Sequence, residues 1–252
     1  KLEYKAEGIQ TQISTYGEIK SLTSKLGDIV SKLTRDSAWN GVTISSSNST
    51  ITGTMTGIAA PGTYNIKVTQ LAQAQTTVIG GASAVALTKD ETMGAAGNLT
   101  LKMGDVEKTV AITPSDTLTK IASKVNEAGM GIQASVVTDV DGKERLMMRS
   151  KETGTDKSFT VDIDPALAKL GQAQTQAAAN AKVELNGVEL ESSTNTFANT
   201  IPGMSFAVSE KTTTAATLTV KADTEAMKKN IQEFVDAYNE LNDLLSQSTQ
   251  YT

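Results

Sequence analysis

The sequence predicts an α+β protein in which the two chain ends form an antiparallel helical leg and the interior forms an elongated, β-rich head of two nested domains. Three observations carry this expectation. Apolar residues recur at helical spacing at both ends of the chain. The interior alternates apolar and polar residues between turn dipeptides. The order helix, strands, lobe, strands, helix requires one lobe inserted in another, and both inserted in the leg.

The first element reads as one long helix to about residue 35. Ile9, Ile13, Tyr16, Ile19, Leu22, Leu26, Ile29 and Leu33 are spaced 4, 3, 3, 3, 4, 3 and 4, a single apolar stripe. Gly8, Gly17 and Gly27 each cost about 1 kcal/mol relative to Ala, so the helix depends on a partner. Its pattern starts without a cap, and the expectation is a helix cut from a longer stalk. At the other end Asp223 or Thr224 is the expected N-cap. Met227, Ile231, Phe234, Val235, Tyr238, Leu241, Leu244 and Leu245 follow at helical spacing. Residues 1–36 carry six basic and five acidic side chains, whereas 223–252 carry two and six. That contrast favours antiparallel pairing, although each exposed ion pair contributes little. The stripe residues of the two helices are the candidate packing and assembly surface.

Between the helices, Ser45–Thr56 is rich in Ser, Thr and Asn, with Ile44 and Ile51 as sparse anchors of exposed strands. Tyr64–Leu71 alternates cleanly after a Pro61-Gly62 turn. Leu99–Ile112 reads as a hairpin around Gly104-Asp105. A helix over about 115–128 follows, capped by Ser115 or Asp116, with Leu118, Ile121, Ala122 and Val125 inward and Gly129 as its stop. Ile132–Val137 and Arg145–Arg149 pair around Asp141-Gly142, and Val183–Leu190 folds at Asn186-Gly187. A helical or turn segment is expected near 195–201. Gly203–Val208 and Ala216–Lys221 echo 131–136 and 145–150, which suggests a weak internal repeat. The boundaries are placed at Gly80-Gly81 and in the Ala/Gln-rich stretch 171–181. The expected domains are a partial leg (1–43 and 223–252), a head domain (44–79 and 176–222) and an outer head domain (80–175).

Composition narrows the chemistry. The 252 residues contain no His and no Cys, which removes the commonest general base, the commonest metal ligand and all thiolate chemistry. Hydrophobic content is 38% and aromatic content 4%, which suits small sheets with wide solvated faces. No apolar run approaches the roughly 18 residues of a membrane helix. A net charge of −5 with scattered basic residues argues against nucleic acid as partner. Ser21–Lys25 lies on a stripe that already explains it, and Asp139–Glu144 lacks the ligand spacing of a calcium loop. Asp162 and Asp164 read as a solvated strand exit before Pro165. Asn48-Ser-Thr50 and Asn98-Leu-Thr100 match the frequent glycosylation sequon. No catalytic, cofactor or metal residue is assigned, and no enzymatic activity is expected.

Four segments together resemble one family. They are Pro61–Gln75, Asp116–Asn126 with Gly129–Ala134, Leu185–Asn195 with Asn199–Gly203, and Asp223 through Phe234-Val-Asp-Ala-Tyr-Asn239. In this order they resemble the flagellar filament-capping proteins (FliD, hook-associated protein type 2). The resemblance implies a leg, a second domain inserted in it and a third inserted in the second, with terminal coiled-coil segments lying outside this stretch. It implies a ring-like, pentamer-like homo-oligomer at the extracellular tip of the flagellum that promotes insertion of exported flagellin. Flagellin, sibling subunits and the export machinery or its chaperone are the implied partners, with export through the flagellar channel and no cleaved signal peptide. An adhesin binding mucin or glycans through the outer head, or another axial component such as a hook–filament junction protein, are the alternatives.

Overall fold

The computed structural model describes residues 2–80 and 87–249. The chain divides into two compact units, one of residues 1–45, 58–62 and 219–252, the other of 46–57 and 63–218. The smaller unit is built on two long helices, α1 (Leu2–Leu33) and, at the far end of the sequence, α3 (Thr224–Thr249). Asp223 caps α3 by accepting the Ala226 N–H on its Oδ1 at 2.9 Å, as the sequence suggests. Residues 58–62 belong to the same unit as the helices even though they follow two strands.

The strands are β1 (Val42–Ser46), β2 (Ile51–Met55), β3 (Gly62–Gln70), β4 (Thr76–Ile79), β5 (Gly97–Met103) and β6 (Val106–Ile112). After the short helix α2 (Leu118–Glu127) come β7 (Ile132–Thr138), β8 (Glu144–Ser150), β9 (Phe159–Ile163) and β10 (Ala173–Gln176). The last five are β11 (Ala181–Leu185), β12 (Val188–Ser192), β13 (Thr196–Ile201), β14 (Met204–Val208) and β15 (Ala216–Ala222). They form four antiparallel or mixed-order sheets: β1-β15-β3-β11-β12, β10-β4-β8-β7, β13-β14-β2 and β6-β5-β9.

One hydrophobic cluster is drawn wholly from residues 79–170. It fills the space between α2, the β10-β4-β8-β7 sheet and the β6-β5-β9 sheet, with Leu99, Leu101, Ile121, Val125, Leu146 and Met148 fully buried. The inward residues of α2 fall on one face because 118, 121, 122 and 125 follow helical spacing. The two ends of this stretch meet in one ladder, since β4 pairs antiparallel with β10 from Thr76↔Gln176 to Ile79↔Ala173. The predicted boundary at 171–181 therefore contains a strand, whereas Gly81 lies outside the described residues. Elsewhere Phe197 and Phe206 face each other across β13 and β14 and stack at 4.9 Å.

The hairpins at Gly104-Asp105, around Asp141-Gly142 and at Asn186-Gly187 fold as their turn residues dictate. Asn186 and Gly187 both take positive φ, the signature of a type I′ turn. Three expectations are corrected. The cap of α2 is Thr117, whose hydroxyl accepts the Lys120 N–H, because the Asp116 carboxylate turns back to the Thr113 N–H and to Lys124. Residues 196–201 form strand β13, not a helix or turn; its register with β14 breaks between Phe197 and Ile201, where Asn199 takes a positive φ of 58°. The internal repeat is absent as structure. β7 and β8 are a hairpin, whereas β14 and β15 belong to different sheets.

Candidate functional site

The two helices of the smaller unit pair antiparallel. Lys25 Nζ lies 2.9 Å from Glu240 Oε2 and Lys32 Nζ lies 3.0 Å from Glu233 Oε2, so both ion pairs obey one register. These pairs join the basic flank of α1 to the acidic flank of α3. All four side chains are about half exposed, so the pairs set register more than they add stability.

Packing between the helices follows a heptad. On α1 the half-buried positions are Thr15, Ile19, Leu22, Leu26, Ile29 and Leu33, spaced 4, 3, 4, 3 and 4. On α3 the matching positions are Met227, Asn230, Phe234, Ala237, Leu241 and Leu244, spaced 3, 4, 3, 4 and 3, with Ala237 fully buried; Glu233, also half-buried, is the partner of Lys32. Asn230 turns its amide to the Ala38 carbonyl at 3.1 Å, and Trp39 donates its ring N–H to the Leu33 carbonyl at 2.7 Å. These bonds close the lower end of the pair.

The structure separates the candidate stripe residues into two sets. Ile19, Leu22, Leu26, Ile29, Leu33, Phe234 and Leu241 lie in the seam. Ile9, Ile13 and Tyr16 on α1, and Ile231, Val235, Tyr238 and Leu245 on α3, are exposed. At about 100° per residue, Ile9, Ile13 and Tyr16 sit on the order of 120° around α1 from the seam, a consequence of three successive steps of three. On α3 the exposed set runs beside the seam at spacings of 4, 3 and 7, giving that helix an apolar stripe about twice as wide as a two-helix seam requires. Phe234 of the seam and Tyr238 of the exposed set stack at 6.3 Å, which makes the two faces continuous.

The larger unit carries polar groups with structural partners. Burial of the Asp116 carboxyl opposes its ionisation, but hydrogen bonds from Lys124 and the Thr113 N–H outweigh that and hold it below its ordinary value. Asp139 accepts the Lys143 and Asp141 N–H groups and pairs with Arg145, so it organises its own hairpin loop. Glu91 is lowered to about 2 by Lys169, then by Thr88. Asp164 accepts the Ala166 N–H, as a carboxylate closing a turn does. Among the described residues no three acidic side chains gather into a metal-binding group.

Sequence reasoning missed one feature of this unit. Three carboxamides each bond both the N–H and the C=O of a single residue in another segment, as a neighbouring strand would. Gln75 does so to Phe159 at 3.0 and 2.6 Å, Asn126 to Ala134 at 2.8 and 2.9 Å, and Asn195 to Ala72 at 2.7 and 3.2 Å. Gln75, Asn126 and Asn195 each end a segment on which the family resemblance rests, the only signal that could have singled them out.

Comparison with known proteins places these features. Residues 1–75 match the family model described as the N-terminus of flagellar hook-associated protein 2, and residues 178–252 match that of its C-terminus. The flagellar hook-associated protein 2 of Aeromonas caviae is 30% identical over 96% of this chain and 55% of its own length. The chain spans about half the length of the curated relatives it matches. The crystal structure of the D1-D2-D3 domains of the flagellar cap protein FliD from Escherichia coli superposes with a TM-score of 0.69 at 30% identity, covering 94% of this chain and 70% of that one. The D2-D3 structure of the same protein superposes with a TM-score of 0.64 at 29% identity, over 73% of this chain and 100% of that one. With an ordered match at both ends and a shared α+β architecture through the middle, this chain belongs to the flagellar hook-associated protein 2 family.

Proposed function

We propose that the chain is the head and part of the leg of a non-enzymatic cap at the distal, extracellular end of the bacterial flagellar filament. There it promotes insertion of exported flagellin. The observation that carries this reading is the uncovered apolar face of α3, continuous with the α1–α3 seam: a helix pair complete in itself would bury its stripe. The relatives named as cap proteins support the same role. In this reading Ile231, Val235, Tyr238 and Leu245, with Ile9, Ile13 and Tyr16, seat the leg against neighbouring helices of the assembly, and the seam residues hold the leg together. Flagellin and sibling subunits in a pentamer-like ring are the partners, and the protein leaves the cell through the flagellar channel.

We also assign three nested parts: a leg of 1–43 and 223–252, a head domain of 44–79 and 176–222, and an outer domain of 80–175. The hydrophobic cluster of residues 79–170, all of it but Ile79 within 80–175, supports an outer domain with its own core. A polar, Thr- and Ser-rich head with little apolar content suits reversible contact between subunits. Adhesion is disfavoured. Phe159, the one aromatic residue between 80 and 175, is 4% exposed and offers no sugar platform.

Deletion of the gene, followed by complementation with the full-length protein, tests the proposal. Loss of filaments with flagellin accumulating in the medium, both reversed by complementation, is expected. Intact filaments with lost adherence would replace capping by the adhesin reading.

A further inference from the structure

The sequence contains two Asn-Gly pairs, Asn40-Gly41 and Asn186-Gly187, and the fold treats them oppositely. Asn-Gly is chemically the most labile asparagine context, because a following residue without Cβ lets its backbone nitrogen reach the asparagine side chain. At Asn186 the side chain is occupied: its Oδ1 accepts the Asn65 N–H at 2.8 Å, and its own N–H donates to the Asn65 carbonyl at 2.9 Å. Asn186 and Gly187 are also locked at φ +47° and +86° by the hairpin between β11 and β12. Asn40 is exposed, and its carboxamide makes no hydrogen bond among the described residues. It lies outside helix and strand, between the short 3-10 turn Asp36–Ala38 and β1, and only its backbone is tied, by its N–H to the Asp36 carbonyl at 3.0 Å.

We propose that Asn40 is a site of spontaneous deamidation with water as the only co-reactant, and that Asn186 is protected by the fold. In the first step the Gly41 amide nitrogen loses its proton to solvent base and bonds to Asn40 Cγ. The Cγ–Nδ2 bond breaks and ammonia leaves, giving a five-membered succinimide. Water then adds to one of the two ring carbonyls and the ring C–N bond at that carbon breaks. Opening at Cγ yields aspartate with a normal main chain, and opening at the backbone carbon yields isoaspartate, with the main chain routed through Cβ. No oxidant or reductant is involved.

The location gives the reaction a structural consequence. The Gly41 carbonyl accepts the Asp223 N–H at 2.8 Å, and Asp223 is the N-cap of α3. Isoaspartate at position 40 inserts one more carbon into the backbone immediately before that anchor and adds a carboxylate to a neighbourhood that already holds Asp36 and Asp223. Both changes loosen the start of α3 against the end of α1 within the helical unit. Ageing of the protein at this residue therefore acts on the leg.

The test is peptide mapping by mass spectrometry, with enzymatic detection of isoaspartate, on purified protein held at mildly alkaline pH, folded and in urea. Deamidation adds about one dalton to a peptide. In urea both Asn-Gly pairs react at similar rates. In the folded protein Asn40 reacts within a few-fold of its unfolded rate, whereas Asn186 slows by roughly tenfold or more, because its reaction needs the hairpin to open. Gly41→Ala should slow the reaction at Asn40 with the fold intact, since Gly41 does not use positive φ and the added Cβ meets only the Asp223 Cβ, at an ordinary 3.6 Å. Equal protection of Asn40 and Asn186 in the folded protein overturns the proposal. So does a Gly41→Ala variant that deamidates at the parental rate.

Discussion

Replacing Gln75 by Leu isolates the contribution of one carboxamide clamp. The side chain is 4% exposed and bonds the Phe159 N–H and C=O while donating to the Thr77 hydroxyl at 3.0 Å. Its own backbone exchanges hydrogen bonds with Ser150, through the Ser150 hydroxyl and N–H. Leu fits the volume and removes all three side-chain bonds. Two buried backbone groups of Phe159 then lose their partners, at about 1–3 kcal/mol each, so the loss comes to about 2–6 kcal/mol. The desolvated Thr77 hydroxyl keeps Thr175 as partner at 3.1 Å and adds little. Urea unfolding followed by far-ultraviolet circular dichroism measures the difference; Trp39 fluorescence does not serve, because that residue lies in the other unit. Gln73→Leu is the control: Gln73 is exposed and its side chain makes no hydrogen bond among the described residues, so the change stays within about 0.5 kcal/mol. A Gln75→Leu variant as stable as the control refutes the argument that these amides hold distant segments together.

Two further outcomes concern the larger unit. Asp116 has its folded-state pKa depressed, so its contribution is complete above the unfolded carboxylate value of about 4 and is lost as pH falls through the folded value. Asp116→Asn should therefore cost about 1–3 kcal/mol at neutral pH, and the gap to the parent should close in acid, as thermal melts across pH 2–7 will show. Gly154 has φ +101° and a Cβ there would lie 2.7 Å from the Ser193 Cβ and 2.9 Å from the Ser193 carbonyl oxygen. Gly154→Ala should destabilise by at least about 2 kcal/mol in urea titrations, through the disfavoured φ and the backbone clash together.

What the sequence made legible follows from range. The seam of the leg could be read because heptad spacing is a local signal, and the Asn186-Gly187 hairpin because two positive φ angles select those residues. The split of Ile9, Ile13 and Tyr16 from the rest of the stripe is also written there, in the run of three-residue steps, but it emerges only when the steps are turned into angles. Strand β13 is hidden because its inward alternation is interrupted: Asn199, between buried Phe197 and Ile201, is exposed and takes a positive φ. The α2 cap was displaced by one residue because Asp116, the better capping type, is claimed by Lys124 and Thr113. The clamps could not be read from spacing at all: Gln75 and Phe159 are 84 residues apart and Asn195 and Ala72 are 123 apart, and nothing local marks an amide that will meet a distant backbone. The apparent repeat shows the opposite hazard, since any two half-buried strands share alternation whatever they pair with.

The leg residues divide into a seam and an uncovered face, and a pair of substitutions in the full-length protein tests that division. Leu26→Asp places a charge in the seam and should cost the helical unit about 2–4 kcal/mol. Val235→Asp changes a side chain that is 40% exposed on the outer face and should leave stability within about 0.5 kcal/mol of the parent. In cells lacking the native gene, flagellin released to the medium is the decisive reading. Val235→Asp is expected to fold and be exported like the parent yet fail to retain flagellin on growing filaments. Filaments of normal number and length from Val235→Asp would contradict that division.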